Sequence, residues 1–172
     1  MSANEEIQEQ VHAAHDPFQK TVAGTMAIIA ALLAIISVLG QHFNTEELLH
    51  EQQSTDQWAF SQAKDVRRYF AQVAQDTLTV SRADPAIVKR YAAEGARYDK
   101  ERQEIQRQAR ELHAESERNG RRANRFHIGE VLLEIAIVFS SLSILSKVRS
   151  FFWIGAAAST IGIIAALTAW FA

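Results

Sequence analysis

Residues 22–39 read VAGTMAIIAALLAIISVL, without a single charge. A run of this length and apolarity is long enough to cross a lipid bilayer as a helix. Its flanks lengthen it, since no Asp, Glu, Lys or Arg occurs between Lys20 and Glu46. The segment ahead of it is acidic, with Glu5, Glu6, Glu9 and Asp16, and no small-x-small site follows. Both features read against a cleaved signal peptide.

Working outward, residues 151–171 read FFWIGAAASTIGIIAALTAWF, a second span with Trp153 and Trp170 as interfacial anchors at its two ends. A third candidate runs from Phe126 to Ser146 and carries Glu130 and Glu134. Only Lys147-Val148-Arg149-Ser150 separates it from the last span, so these two form an antiparallel pair with the turn at the headgroups. The charge map agrees. Residues 46–125 hold 29 of the 38 formal charges, and none follows Arg149. The net charge of −2 is therefore an average over two solvents, and it gives no reason to expect nucleic acid. Seven Gly and two Pro leave little punctuation for an all-β fold, and the absence of Cys excludes disulfides, thiolate metal sites and Cys nucleophiles.

The charged insert reads as a helical hairpin. Ala59, Ala63, Val66, Phe70, Val73, Thr77 and Val80 recur in steps of four and three, a coiled-coil seam. Val88, Tyr91, Gly95, Tyr98, Ile105, Ala109, Leu112, Ala123 and Phe126 supply the facing stripe. Between them, Asp84 is a good helix N-cap and Pro85 suits the first helical position. Facing residues should then have numbers summing to about 165, an estimate that assumes a tight turn and seam-to-seam packing. Phe70 would face Gly95, Val66 would face Tyr98, and Ala59 would face Ile105. The seam weakens at Gln52, Asp56, Ser116 and Asn119, and Gly40 is a candidate kink between the first span and the hairpin.

The sequence thus predicts an all-α membrane protein: an amphipathic N-terminal segment over 1–16, a first span over 17–42, a hairpin over 43–126 with its tip near 81–85, and two spans over 127–172. Ile7, Val11 and Ala14 line one face of the N-terminal segment. His12 and His15 there lack an evident third metal ligand, so no metal site is assigned. Short loops govern orientation more than long inserts, and the insert exceeds the roughly 60-residue limit of the positive-inside rule. Lys20, Lys147 and Arg149 then place the N-terminus in the cytoplasm and the hairpin in the periplasm.

Three sets of residues stand out as candidate sites. Glu130 and Glu134 lie four apart on one helix face, with His127 on the same stripe. Either they form a carboxylate ring in an oligomer that binds or passes cations, or the site is interfacial, with Glu130 at headgroup depth and either carboxylate protonated or bonded to Gln41, His42 or nearby arginines, Glu134 being the deeper of the two. Small residues form stripes in the spans: Ala23, Ala27, Ala30, Ala34 and Ser37; Ala136, Ser140 and Ser143; Gly155, Ser159, Gly162, Ala166 and Ala169. Such faces permit close helix approach, within one chain or between copies. Finally, Trp58 and Phe60 fall off the predicted seam, which suggests a contact with another chain, the alternative being packing near Arg107. No glycine-rich phosphate loop, Ser/His/Asp arrangement or zinc spacing is present, so neither an enzyme nor a cofactor is expected.

STDQWAFSQAK at 54–64, RYDKERQEIQRQARELHAE at 97–115 and the two closing spans resemble the bacterial membrane proteins catalogued as domain of unknown function 4337. The resemblance runs from about Val22 to Phe171. It implies this membrane layout and marks Gln57, Trp58, Gln62, Ala63 and Lys64, but it brings no activity. The expectation is a non-enzymatic, homo-oligomeric inner-membrane scaffold in contact with lipid, with an unidentified protein partner at the stalk as a further candidate. The alternative is an oligomeric channel or transporter accessory with a carboxylate-lined path.

Overall fold

The computed structural model describes residues 17–171, and all its regular structure there is helical. Helix α1 runs Pro17–Val80, α2 Pro85–Ser146 and α3 Arg149–Leu167, followed by a 3-10 turn Thr168–Phe171. Each of the three helices contains a stretch long and apolar enough to cross a membrane. The N-terminal segment, with Ile7, Val11, Ala14, His12, His15 and Asp16, lies outside the described residues.

The joints obey local chemistry. Arg82 and Lys147 adopt positive φ (56° each) and stand in the two interhelical turns. The Asp84 carboxylate accepts a 2.8 Å hydrogen bond from the Ala86 N–H, and its carbonyl accepts from Ile87 and Val88. It thus serves α2 as the expected N-cap. Helix α1 is continuous through Gly40, where a Cβ would stand 3.2 Å from the Phe126 Cβ. Glycine there serves a close helix contact.

Two compact units make up the chain. The first comprises residues up to Asn44 and those from Gly120 onward. Its core is Ile29, Ile36, Phe126, Leu133, Ala136, Ala166 and Ala169. Helices α2 and α3 meet there almost backbone to backbone. A Cβ on Gly155 would lie 2.8 Å from the Ala136 carbonyl oxygen, and one on Gly162 would lie 2.9 Å from the Leu132 Cβ. The stripe Gly155, Ser159, Gly162 and Ala166 is therefore buried inside the chain, as are Ala136, Ser140 and Ser143 opposite it. The first-span stripe behaves differently. Ala23, Ala27, Ala30 and Ala34 are exposed, and α1 turns Val22, Ile29 and Ile36 inward instead. Larger aliphatic side chains on that face fill more of the space beside the α2–α3 contact than alanine could.

The second unit is Thr45–Asn119. Its α2 face matches expectation, with Ile105 and Ala109 buried and Val88, Tyr91, Gly95, Tyr98 and Leu112 half-buried. Its α1 face does not. Ser54, Ser61 and Ala71 are the buried residues, whereas Val66, Phe70 and Val73 are 54%, 68% and 42% exposed. Gly95 accordingly sits opposite Ala71, not Phe70. The reason is steric and polar. Ser54 and Ser116 donate 3.0 Å hydrogen bonds to the opposite backbone carbonyls of Ala109 and Glu47, which requires small side chains at the contact. The region around Ser116, expected to be weak, is stitched in this way. Pairs such as Ser54–Ala109, Lys64–Glu101 and Ala71–Gly95 keep a near-constant sum of residue numbers.

Gly162→Val should destabilise the α2–α3 contact by about 1–3 kcal/mol through overpacking. Gly24→Ala, with nothing within 4 Å of its Cβ, should leave stability unchanged or slightly raised. Thermal loss of helicity in detergent measures both.

Candidate functional site

The QWAFSQAK segment lies on α1 in the second unit, and Lys64 is its anchor. Its ammonium pairs with Glu101 at 2.6 Å, lying 5.2 Å from the Phe60 ring centroid and 5.8 Å from that of Tyr98. The hydrogen bond from Lys64 holds the Glu101 carboxyl below its ordinary range, aided by the nearby positive charge of Arg97. The two rings and the carboxylate together fix the ammonium. Gln57 is half-buried, while Gln62, Ala63 and Phe60 are exposed. Trp58 is 37% exposed and makes no hydrogen bond or ring contact among the described residues. An open cleft of about 360 Å³ borders this cluster, with Phe60, Lys64 and Ile105 in its wall. The Lys64–Glu101 ion pair stands in the same wall.

Around it, charge is neutralised both within each helix and between the two. Arg68 meets Asp65 at 2.9 Å, Arg102 meets Asp99 at 2.9 Å, and Arg102 reaches Asp65 at 3.6 Å. The Arg102 hydrogen bond lowers the Asp99 pKa. Further along, His113 Nδ1 stands 2.9 Å from Glu51, and His50 lies 3.7 Å from Glu115. Such exposed pairs contribute little individually, and only those that cross between the helices, Arg102–Asp65, His113–Glu51 and His50–Glu115, bear on the register. Among the described residues no group of three or more His, Asp or Glu side chains is arranged to hold a metal.

In the first unit the two span carboxylates part company. Glu130 is half-buried, with His127 Nδ1 at 3.2 Å and the Ser37 hydroxyl bonded to it. Glu134 is exposed and makes no hydrogen bond or ion pair among the described residues. The structure thus joins His127 and Glu130 and leaves Glu134 outside that pair. Two arginines that the sequence did not single out also find partners in this unit. Arg122 lies over the Phe43 ring at 5.6 Å, and Arg125 donates to the Thr168 hydroxyl at 2.9 Å. Their sequence signal was the acid-free interval from Arg118 to Arg125; the Thr168 partner had none.

The family model described as domain of unknown function DUF4337 matches residues 18–172. No curated protein and no solved structure matches the chain.

Among these groups His113 is the accessible titrant. Its hydrogen bond and attraction to Glu51 raise its pKa above the ordinary 6.5. Its contribution to stability is therefore complete below about pH 6.5 and lost as pH rises through the folded value. Asp99 and Glu101 have the opposite sign: depressed pKa values make their contribution complete above about pH 4.5 and lost on acidification. An NMR titration should find the His113 imidazole above its ordinary value, and Glu51→Gln should bring it back. The wild-type melting temperature should decline slightly from about pH 6 to about pH 8, and this slope should vanish in His113→Gln.

Proposed function

The chain belongs to the DUF4337 family, which carries no activity to transfer, and from that premise we propose a non-enzymatic, three-span inner-membrane protein of bacterial type. It self-associates through the hairpin between its first two spans and serves as a scaffold. The observation that carries this reading is the stripe Val66, Phe70 and Val73, exposed on α1 beside the exposed Tyr69. Four-three spacing is what a helix needs to pack against another helix, yet among the described residues no helix lies over this stripe. A second copy of the chain supplies the matching stripe, with no charge to bury. Membrane insertion is supported by the apolar surface of the first unit. Ile28, Val138, Leu145 and Ile161 are all more than half exposed, a pattern suited to hydrocarbon and costly in water. Trp153 and Trp170 are exposed at the two ends of the last apolar segment, as headgroup anchors would be. An antiparallel hairpin is supported by the near-constant number sums of the α1–α2 pairs.

One observation favours a second reading. An exposed, unpaired Glu134 within an apolar span is unfavourable against lipid tails. In an oligomer it would face water or a neighbouring copy, and a carboxylate-lined ion path follows.

The absence of native Cys makes the first reading directly testable. Phe70→Cys or Val73→Cys in native membranes should give disulfide-linked dimers on mild oxidation, and Ser61→Cys, buried in the seam, should not. Val66→Glu/Phe70→Glu should shift the protein to monomer in native mass spectrometry while changing monomer stability by no more than about 0.5 kcal/mol per site. Monomer peaks alone for the wild type would overturn the reading.

For the second, cation flux into liposomes should be measurable and should fall in Glu134→Gln. Equal or absent flux removes the channel.

A further inference from the structure

Between α2 and α3, the first unit holds an open cavity of about 530 Å³ whose two ends differ in chemistry. At one end stand Arg121, Asn124 and Arg125; at the other stand Ile128, Ile161 and Ile164. The three isoleucines are about half exposed, with no covering group among the described residues. The geometry points to a binding site for an anionic phospholipid, with its phosphate at Arg121 and Arg125 and an acyl chain along the isoleucines. This rests on the membrane reading above and adds a ligand to it.

Charge supplies the first argument. No acidic residue occurs in α2 between Glu117 and Glu130, an interval that holds Arg118, Arg121, Arg122 and Arg125. Arg121 makes no ion pair or hydrogen bond among the described residues. Among the described residues Arg125 is bonded only to a neutral hydroxyl, that of Thr168, at 2.9 Å. The Thr168 hydroxyl in turn donates to the Ala165 carbonyl at 2.6 Å. This chain of bonds orients the Arg125 guanidinium beside the cavity and leaves most of its five N–H donors free. Two guanidiniums without a carboxylate are a phosphate-binding arrangement, because their planar forks match paired phosphate oxygens.

The direction of the cavity supplies the second. From Arg125 to Ile128 the rise along α2 is about 4.5 Å, so charge gives way to isoleucine within one turn. On α3 the same change runs from Thr168 back to Ile161. A phospholipid carries its phosphate and its first methylenes at a similar separation. Inorganic phosphate would leave the isoleucine wall uncovered. A zwitterionic lipid would bring its own cation against two arginines, so the anionic class is selected.

Native mass spectrometry of the full chain, released from nanodiscs of equal phosphatidylglycerol and phosphatidylcholine, tests the assignment. The wild type should retain phosphatidylglycerol adducts about tenfold over phosphatidylcholine. Arg121→Gln/Arg125→Gln should abolish the preference, while Arg90→Gln/Arg97→Gln, which removes equal charge from the second unit, should preserve it. Ile161→Trp should reduce adducts of both lipids without changing charge. Circular dichroism checks that each variant keeps its helicity. Equal retention of the two lipids, a preference surviving in Arg121→Gln/Arg125→Gln, or displacement of the lipid by millimolar inorganic phosphate would overturn the site. Alkaline carbonate extraction separates the two failures. Release of the wild type from membranes overturns the membrane reading and the site together; retention without phosphatidylglycerol preference overturns the site alone.

Discussion

The carbonyl oxygen of Ala136 stands 2.8 Å from the place where a Cβ on Gly155 would be, and the Gly129 carbonyl stands 3.0 Å from the corresponding place at Gly162. Any side chain at these two positions of α3 would push it off α2. Because the two helices can approach this closely, the rotation of α2 about its own axis is set: Leu133, Ala136, Ser140 and Ser143 point inward and Glu134 points out. The same contact brings Arg125 within hydrogen-bonding distance of Thr168. Even the buried hydroxyls of Ser140 and Ser143, which lack partners among the described residues, fit this logic. They are tolerated for their size, at the cost of an unsatisfied polar group.

The second unit applies the same constraint with polar groups at the contact. Its α1 face buries Ser54, Ser61 and Ala71 and sets Lys64 and Arg68 at the margins. Small residues bring the backbones close enough for serine hydroxyls to reach opposite carbonyls, and long cations fold over the joint to carboxylates on α2. Hydrophobic burial here is modest. Specific polar bonds choose the face, and the most apolar residues of α1 are left outside.

That inversion explains what was legible in the sequence and what was not. Apolar runs, the Asp84 cap and the α2 stripe from Val88 to Leu112 could be read directly, because burial and capping act on local pattern. The small-residue stripe of the last span was equally plain, although only coordinates distinguish burial within the chain from contact between chains. Reading α1 failed because hydrophobicity ranks Phe70 above Ala71, whereas the close approach of α2 at Gly95 ranks them the other way. Arg125 and Thr168 were invisible as a pair, since forty-three positions separate them and neither is unusual alone. Local pattern fixes elements; contacts between distant small residues decide which faces remain free.

A free face is costly in proportion to how badly it suits its surroundings, and by that measure the exposed groups are unequal. Ala27 and Ala30 suit lipid as well as they suit a neighbour, so their exposure on α1 demands nothing. Phe70 in water forfeits the burial of a large ring, roughly 1.5–3 kcal/mol, which another chain could recover. Glu134 within an apolar span is the most demanding, because neither hydrocarbon nor a dry apolar contact satisfies a carboxylate. Covering Phe70 with a second copy would leave the Glu134 demand unmet, since the two lie in different units. Under the self-association proposed above, an assembly that answered both would use two contacts, one apolar and one polar.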